Sequence, residues 1–106
     1  MFGMAVRFGY VRVYVGTYTG GDSEGIYLLD LDLKTGVLTA RGIVARTVNP
    51  SFLAVHPSGD LLYAVNEVSK LDGNESGGVS AFSINPKNGK LSLLNQQLSR
   101  GGVPVI

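Results

Sequence analysis

The sequence predicts an all-β fold of about two four-stranded antiparallel meanders, and three observations carry that prediction. Fifteen glycines are spread through 106 residues among β-branched and aromatic side chains, the composition of short strands joined by frequent turns. No apolar pattern with a 3.6-residue period runs far enough for a helix. The second half of the chain also repeats the first at nearly constant spacing.

Each element can be justified in turn. Residues 11–17 (VRVYVGT) alternate Val11, Val13 and Val15 with Arg12, Tyr14 and Gly16. A polar, glycine-rich loop follows at 19–25. Residues 26–33 then set Ile26, Leu28 and Asp30 against Tyr27, Leu29, Leu31 and Leu33. Lys34-Thr35-Gly36 is a tight turn whose glycine supplies a positive φ, and 37–45 returns beside the preceding strand. Asn49-Pro50-Ser51 interrupts this run, because proline cannot donate to a ladder and belongs at a strand start or an edge. Phe52-Leu53-Ala54-Val55 is a continuous apolar run, the pattern of a strand buried on both faces. The turn 56–60 leads to a further buried strand, 61–67. A longer polar loop, 69–78, precedes strand 79–84, the turn 85–89 and a final strand, 90–98.

The repeat organises these strands. Residues 25–39 (GIYLLDLDLKTGVLT) align with 78–92 (GVSAFSINPKNGKLS) at an offset of 53, which superposes Gly36 on Gly89 and Leu38 on Leu91. Residues 13–17 align with 62–66 at an offset of 49, and Pro50 with Pro104 at 54. A period near 50 with four strands per repeat is the signature of a β-propeller blade. On this reading 1–10 is an N-terminal extension and 11–48 a partial first blade of three strands. Residues 49–100 form a complete second blade, and 101–106 begin a third. The competing architecture is the two sheets of a sandwich, which seldom carry turn and strand matches in the same order at this spacing.

Composition narrows the function classes. A formal net charge of +1, with charged residues at 16% and no run of Lys or Arg, gives no basic face for nucleic acid. Cysteine is absent, which excludes disulfide staples and thiolate metal sites. Residues 1–10 hold no apolar core of a signal peptide, and no stretch approaches the roughly 18 apolar residues of a membrane helix. The expectation is a cytoplasmic chain with no cofactor, no nucleic-acid partner and no membrane.

Several motifs are more specific. Val15-Gly16-Thr17-Tyr18-Thr19 followed by Gly25-Ile26-Tyr27 resembles the N-terminal signature of the seven-bladed β-propeller lactonase family, the 6-phosphogluconolactonase type. The segments 49–57 (NPSFLAVHP) and 62–67 (LYAVNE) resemble its first full blade, and 78–82 (GVSAF) with Gly89-Lys90-Leu91 completes the match over about residues 12–104. The resemblance implies hydrolysis of 6-phosphogluconolactone to 6-phosphogluconate in the oxidative pentose phosphate pathway. It also implies a parent of roughly three hundred residues or more, of which this chain is an N-terminal piece. In that family the inner strand of the first blade comes from the C-terminus, and the expected His, Glu and Arg catalytic groups lie in later blades. The segment 101–106 departs from the pattern, lacking the polar residues expected after Pro104.

Propellers bind ligands where the inner strands meet their loops at the channel mouth. Six residues fall on that rim. Thr17 and Tyr18 end the first strand, Asn49 and Ser51 precede the inner strand, and Asn66 and Glu67 occupy the place equivalent to Thr17 and Tyr18 in the second repeat. These are the candidate substrate contacts, with a small-molecule lactone as the ligand. The alternative is that Asn66, Asn49 and Thr17 tie loops between blades by side-chain to backbone bonds. His56, the single histidine, sits in a turn on the other face and reads as a turn residue. Asp22 and Glu24 flank a glycine turn with no helix behind it, and Asp72, Asn74 and Glu75 lack calcium-loop spacing. Beside the enzyme-fragment reading stand a non-catalytic binding or scaffold propeller and a module that assembles copies into a ring. An isolated piece would leave Phe52, Leu53, Val65 and Phe82 partly uncovered and prone to self-association.

Overall fold

The structure, a computed structural model, describes residues 2–7, 9–67 and 77–98, with residues 2–7 and 98 described by their backbone. It contains two four-stranded antiparallel meanders. The first has β1 (Phe2–Arg7), β2 (Tyr10–Gly16), β3 (Gly25–Asp32) and β4 (Leu38–Arg46) in that order across the sheet. The second has β5 (Pro50–Val55), β6 (Leu61–Asn66), β7 (Gly78–Ile84) and β8 (Leu91–Leu98). The expected polar loop at 69–78 and the start of a third blade at 101–106 lie largely or wholly outside the described residues, as do Asp72, Asn74 and Glu75.

The two tight turns between third and fourth strands show the repeat at atomic detail. Gly36 N–H donates to the Asp32 carbonyl at 2.8 Å, and Gly89 N–H to the Asn85 carbonyl at 2.8 Å. Both glycines are left-handed, at φ +77 and +76. In each turn the first residue's side chain accepts from a backbone N–H two residues on, Asp32 from Lys34 and Asn85 from Lys87, each at 2.8 Å. The same offset of 53 therefore holds in sequence and in conformation.

The first sheet departs from the three-strand expectation. Residues read as an extension form β1, which pairs with β2 from Phe2 opposite Val15 to Arg7 opposite Tyr10. The physical reason is the inner edge of β2, which would otherwise present a row of unpaired N–H and C=O groups. Gly9, at φ +74, lets the chain double back onto that edge. β1 also runs beside β5, the inner strand of the second sheet.

The sheets pack face to face around one core. From the first come Tyr14, Ile26 and Leu28; from the second come Leu53, Leu62, Ala64, Phe82 and Ile84. The face of β2 that carries Arg12 and Tyr14 is the one buried between blades, at 2% and 0% exposure. It stays inside because its polar tips are satisfied. The Tyr14 hydroxyl donates to the Gly89 carbonyl at 2.7 Å, and the Arg12 guanidinium donates to the Pro86 carbonyl at 3.1 Å. Gly16 lies so close to β5 that a Cβ there would collide with the Pro50 carbonyl oxygen.

Two burial expectations change. The run Phe52–Val55 is buried on one face only: Leu53 is buried whereas Ala54 is exposed, because the chain holds no further sheet on that side among the described residues. Leu53, Val65 and Phe82 are likewise covered; the large apolar side chains left open on the second sheet are Leu93 and Leu94 on its last strand, and Tyr63 and Val79 on β6 and β7.

Candidate functional site

The loops at one end of the two sheets bring most of the sequence candidates together. The Tyr18 hydroxyl donates to Glu67 Oε2 at 3.0 Å, joining the β2–β3 loop of one blade to the end of β6 in the next. Ser51, second residue of β5, places its hydroxyl beside the Glu67 carboxylate and the Tyr18 phenol, where it favours the ionised carboxylate. Tyr18, Ser51 and Glu67 thus form a carboxylate flanked by two hydroxyls at the open rim.

Asn49 builds that cluster rather than joining it. Its Oδ1 accepts from Thr19 N–H at 2.7 Å and Thr19 Oγ1 at 3.1 Å, and its Nδ2 donates to the Glu67 carbonyl at 3.3 Å. Its own carbonyl accepts from Glu67 N–H at 3.0 Å and Ser51 N–H at 2.8 Å. Asn49 holds φ +40, a left-handed conformation that asparagine tolerates better than most residues. Thr19 was not among the sequence candidates. Its only signal was polarity in the loop, since the pairing with Asn49 spans 30 residues.

The remaining two candidates point elsewhere. Thr17 Oγ1 donates to the Gly25 carbonyl at 2.7 Å, closing its own loop. Asn66 is fully buried. Its Nδ2 donates to Thr47 Oγ1 at 2.9 Å and the Val48 carbonyl at 2.6 Å, and its Oδ1 accepts from Ser80 Oγ at 2.6 Å. Asn66 thus ties the segment that links the two blades, whereas Thr17 ties only its own loop.

The electrostatics are set by the same contacts. Hydrogen bonds from Ser51 first and Tyr18 second hold the Glu67 carboxyl below its ordinary value. The hydrogen bond to Glu67, followed by the repulsion of its charge, pushes the Tyr18 phenol up. At neutral pH the site is therefore an anionic acceptor with protonated donors beside it. A carboxylate stabilised in this way is a weak base, better suited to accepting hydrogen bonds from ligand hydroxyls than to removing a proton from water.

The folded state stabilises the ionised form of Glu67, so that contribution is present above the unfolded-state value and disappears as pH falls through the lower folded value. We expect an NMR titration of the Glu67 carboxyl carbon to show a midpoint below that of an unpaired glutamate. Ser51→Ala should move it upward more than Tyr18→Phe does, following the order of the two causes. Equal midpoints in all three proteins would contradict the cluster.

Elsewhere, His56 Nδ1 faces Ser58 Oγ at 2.9 Å and accepts from Ser58 N–H at 3.1 Å in the β5–β6 turn, at the opposite end of the sheets. Glu24 pairs with Arg46 at 3.4 Å. No group of three His, Cys, Asp or Glu residues placed to hold a metal occurs among the described residues. Two grooves open along the seam between blades, of about 540 and 350 Å³. The larger, between β4 and β8, is lined mainly by Ile43, Val44, Ala45, Leu91 and Leu93, and neither contains Tyr18, Ser51 or Glu67. They are the wedge left where adjacent sheets splay outward, not the rim.

Residues 12–106 match the family described as lactonase, 7-bladed β-propeller. The chain belongs to the seven-bladed β-propeller lactonase family. It is 41% identical over 91 residues to a 6-phosphogluconolactonase of Bacillus subtilis (strain 168), covering 86% of this chain and 25% of that protein. A proposed 6-phosphogluconolactonase of Bacteroides fragilis NCTC 9343 superposes with a TM-score of 0.80 at 38% identity, over 91% of this chain and 26% of its own. A periplasmic gluconolactonase of Pseudomonas aeruginosa does so at 0.78 and 33%, over 90% and 26%. The chain thus spans about a quarter of the length of these lactonases, and the part it matches is the N-terminal part of the propeller. No helix among the described residues is long and apolar enough to cross a membrane.

Proposed function

We propose that this chain supplies the first two blades of a propeller that hydrolyses 6-phosphogluconolactone or a related sugar lactone. The observation that carries the site is the meeting of Tyr18, Ser51 and Glu67 at the rim. Opening a lactone requires a base for water, donors for the tetrahedral oxyanion, and cations where the substrate carries phosphate. The rim here offers an anionic acceptor and hydroxyl donors, which suit the sugar's hydroxyl groups. Activation of water and neutralisation of phosphate fall to residues of the remaining blades. On this reading the chain alone does not turn over substrate, it uses no cofactor, and it works in the cytoplasm. Its relationship to 6-phosphogluconolactonases supports the substrate class.

The test transplants residues 12–98 into the corresponding quarter of the Bacillus subtilis relative. We expect the chimera to hydrolyse 6-phosphogluconolactone. Glu67→Gln in that chimera should lower kcat/KM about tenfold, chiefly through KM, which corresponds to about 1.4 kcal/mol. A folded, active chimera whose kinetics ignore changes at Tyr18, Ser51 and Glu67 would remove the rim from the substrate site.

A further inference from the structure

The repeat gives each blade two unlike faces. The first blade inserts Tyr14, Ile26 and Leu28 toward the second, which receives them on Leu62, Ala64, Phe82 and Ile84. At offsets of 49 and 53 the receiving positions correspond to Val13, Val15, Leu29 and Leu31, on the opposite face of the first blade. The inserting positions correspond to Tyr63, Val79 and Ala81, on the opposite face of the second. One end of the pair of blades therefore presents a receiving face and the other an inserting face. Tyr63 and Val79 are 37% and 40% exposed, and the four receiving residues are only half-buried. β1 gives the first blade its full four strands, so the two sheets are matched in size.

We propose that the 106-residue chain, taken without the further blades that would cover these faces in a whole propeller, associates with itself head to tail. Tyr63, Val79 and Ala81 of one copy pack on Val13, Val15, Leu29 and Leu31 of the next. This contact continues, between copies, the blade-to-blade interface already present within the chain. Tyr63 takes the part of Tyr14, whose hydroxyl donates to the Gly89 carbonyl. The corresponding acceptor for Tyr63 is the carbonyl of Gly36, which closes the equivalent turn of the neighbouring copy. A net charge of +1 offers little repulsion. The contact is heterologous, so it forms a ring if the rotation closes and an open filament otherwise. Four strands spaced about 4.8 Å apart and roughly 20 Å long present about 400 Å² per side. That is about 800 Å² in total, below the roughly 1,000 Å² of a stable interface, so association is weak, transient and concentration-dependent.

Sedimentation equilibrium on the 106-residue chain tests this, independently of any lactonase activity. The expected mass rises with concentration above the 11.2 kDa of one copy. Tyr63→Lys removes the inserting face and Leu29→Lys the receiving face, and each alone should remain a monomer. An equimolar mixture of the two should give a complex of two chains, because one intact face of each kind remains. Thr39→Lys, on the outermost strand and away from both faces, should associate as the parent does. Tyr63→Phe, which keeps the ring and the fold, should weaken association about fivefold through the lost hydroxyl. A parent that stays monomeric up to about millimolar concentration overturns the proposal. So does continued growth of either lysine variant, or a mixture of two folded variants that stays monomeric.

Discussion

Gly16→Ala lowers stability by about 3 kcal/mol or more, enough to leave little folded protein in a unit of this size. The reason is spatial rather than conformational. Gly16 ends β2 where it crosses closest to β5, and the methyl group of alanine would occupy the position of the Pro50 carbonyl oxygen, with Leu53 close behind. A backbone atom cannot rotate away as a side chain can, so the two blades must separate. Separation opens the core that Tyr14 and Ile26 share with Leu53 and Leu62. Gly20→Ala is the matched control, because a Cβ at Gly20 meets no neighbouring atom. Thermal unfolding followed by circular dichroism should place Gly20→Ala within a few degrees of the parent and Gly16→Ala more than about 10 °C lower. Equal melting temperatures would mean that the blades do not approach one another as described.

The blade plan was legible because it depends on short-range chemistry that sequence records directly. Turn glycines at 36 and 89, apolar alternation in 26–33, and the Asn49-Pro50 break each announce themselves locally. The first inner strand was not legible. Its residues include Gly3 and Arg7, which blur the period-2 pattern, and its cause is an open hydrogen-bonding edge on β2 rather than any preference of its own. Likewise the buried face of β2 looked polar, since Arg12 and Tyr14 reach across to carbonyls about 75 residues later in the chain.

The rim was legible in part, for a related reason. Equivalent strand ends in a repeat must fall on one rim, which is why the spacing alone places Tyr18 and Glu67, 49 residues apart, together. What spacing cannot tell is which polar group at a strand end faces outward. Tyr18 and Glu67 do, whereas Thr17 and Asn66, one residue earlier in each repeat, turn to neighbouring loops. Asn49 carries a second kind of information that sequence hides, a left-handed backbone that aims both its side chain and its carbonyl at two loops at once.

Asn66 provides the sharpest separation between a scaffold residue and a substrate contact. Asn66→Ala is expected to cost about 3 kcal/mol. It would leave the Val48 carbonyl without the donor it now receives at 2.6 Å, and the buried Ser80 hydroxyl without its acceptor at 2.6 Å. Every buried side-chain polar atom among the described residues now has a partner, so the substitution creates unpaired groups where none existed. Because Asn66 and Ser80 share one bond, the loss is coupled. The double variant Asn66→Ala, Ser80→Ala should be less destabilised than the sum of the two single changes by about 1 kcal/mol. Denaturant melts of the four proteins measure that difference directly, and strict additivity would break the proposed bond. In the chimeric propeller, Asn66→Ala should depress stability while leaving KM near the parent value, whereas Glu67→Gln should do the reverse. The two neighbours would then divide as their geometry divides them, Asn66 joining one blade to the next and Glu67 meeting the lactone's hydroxyls.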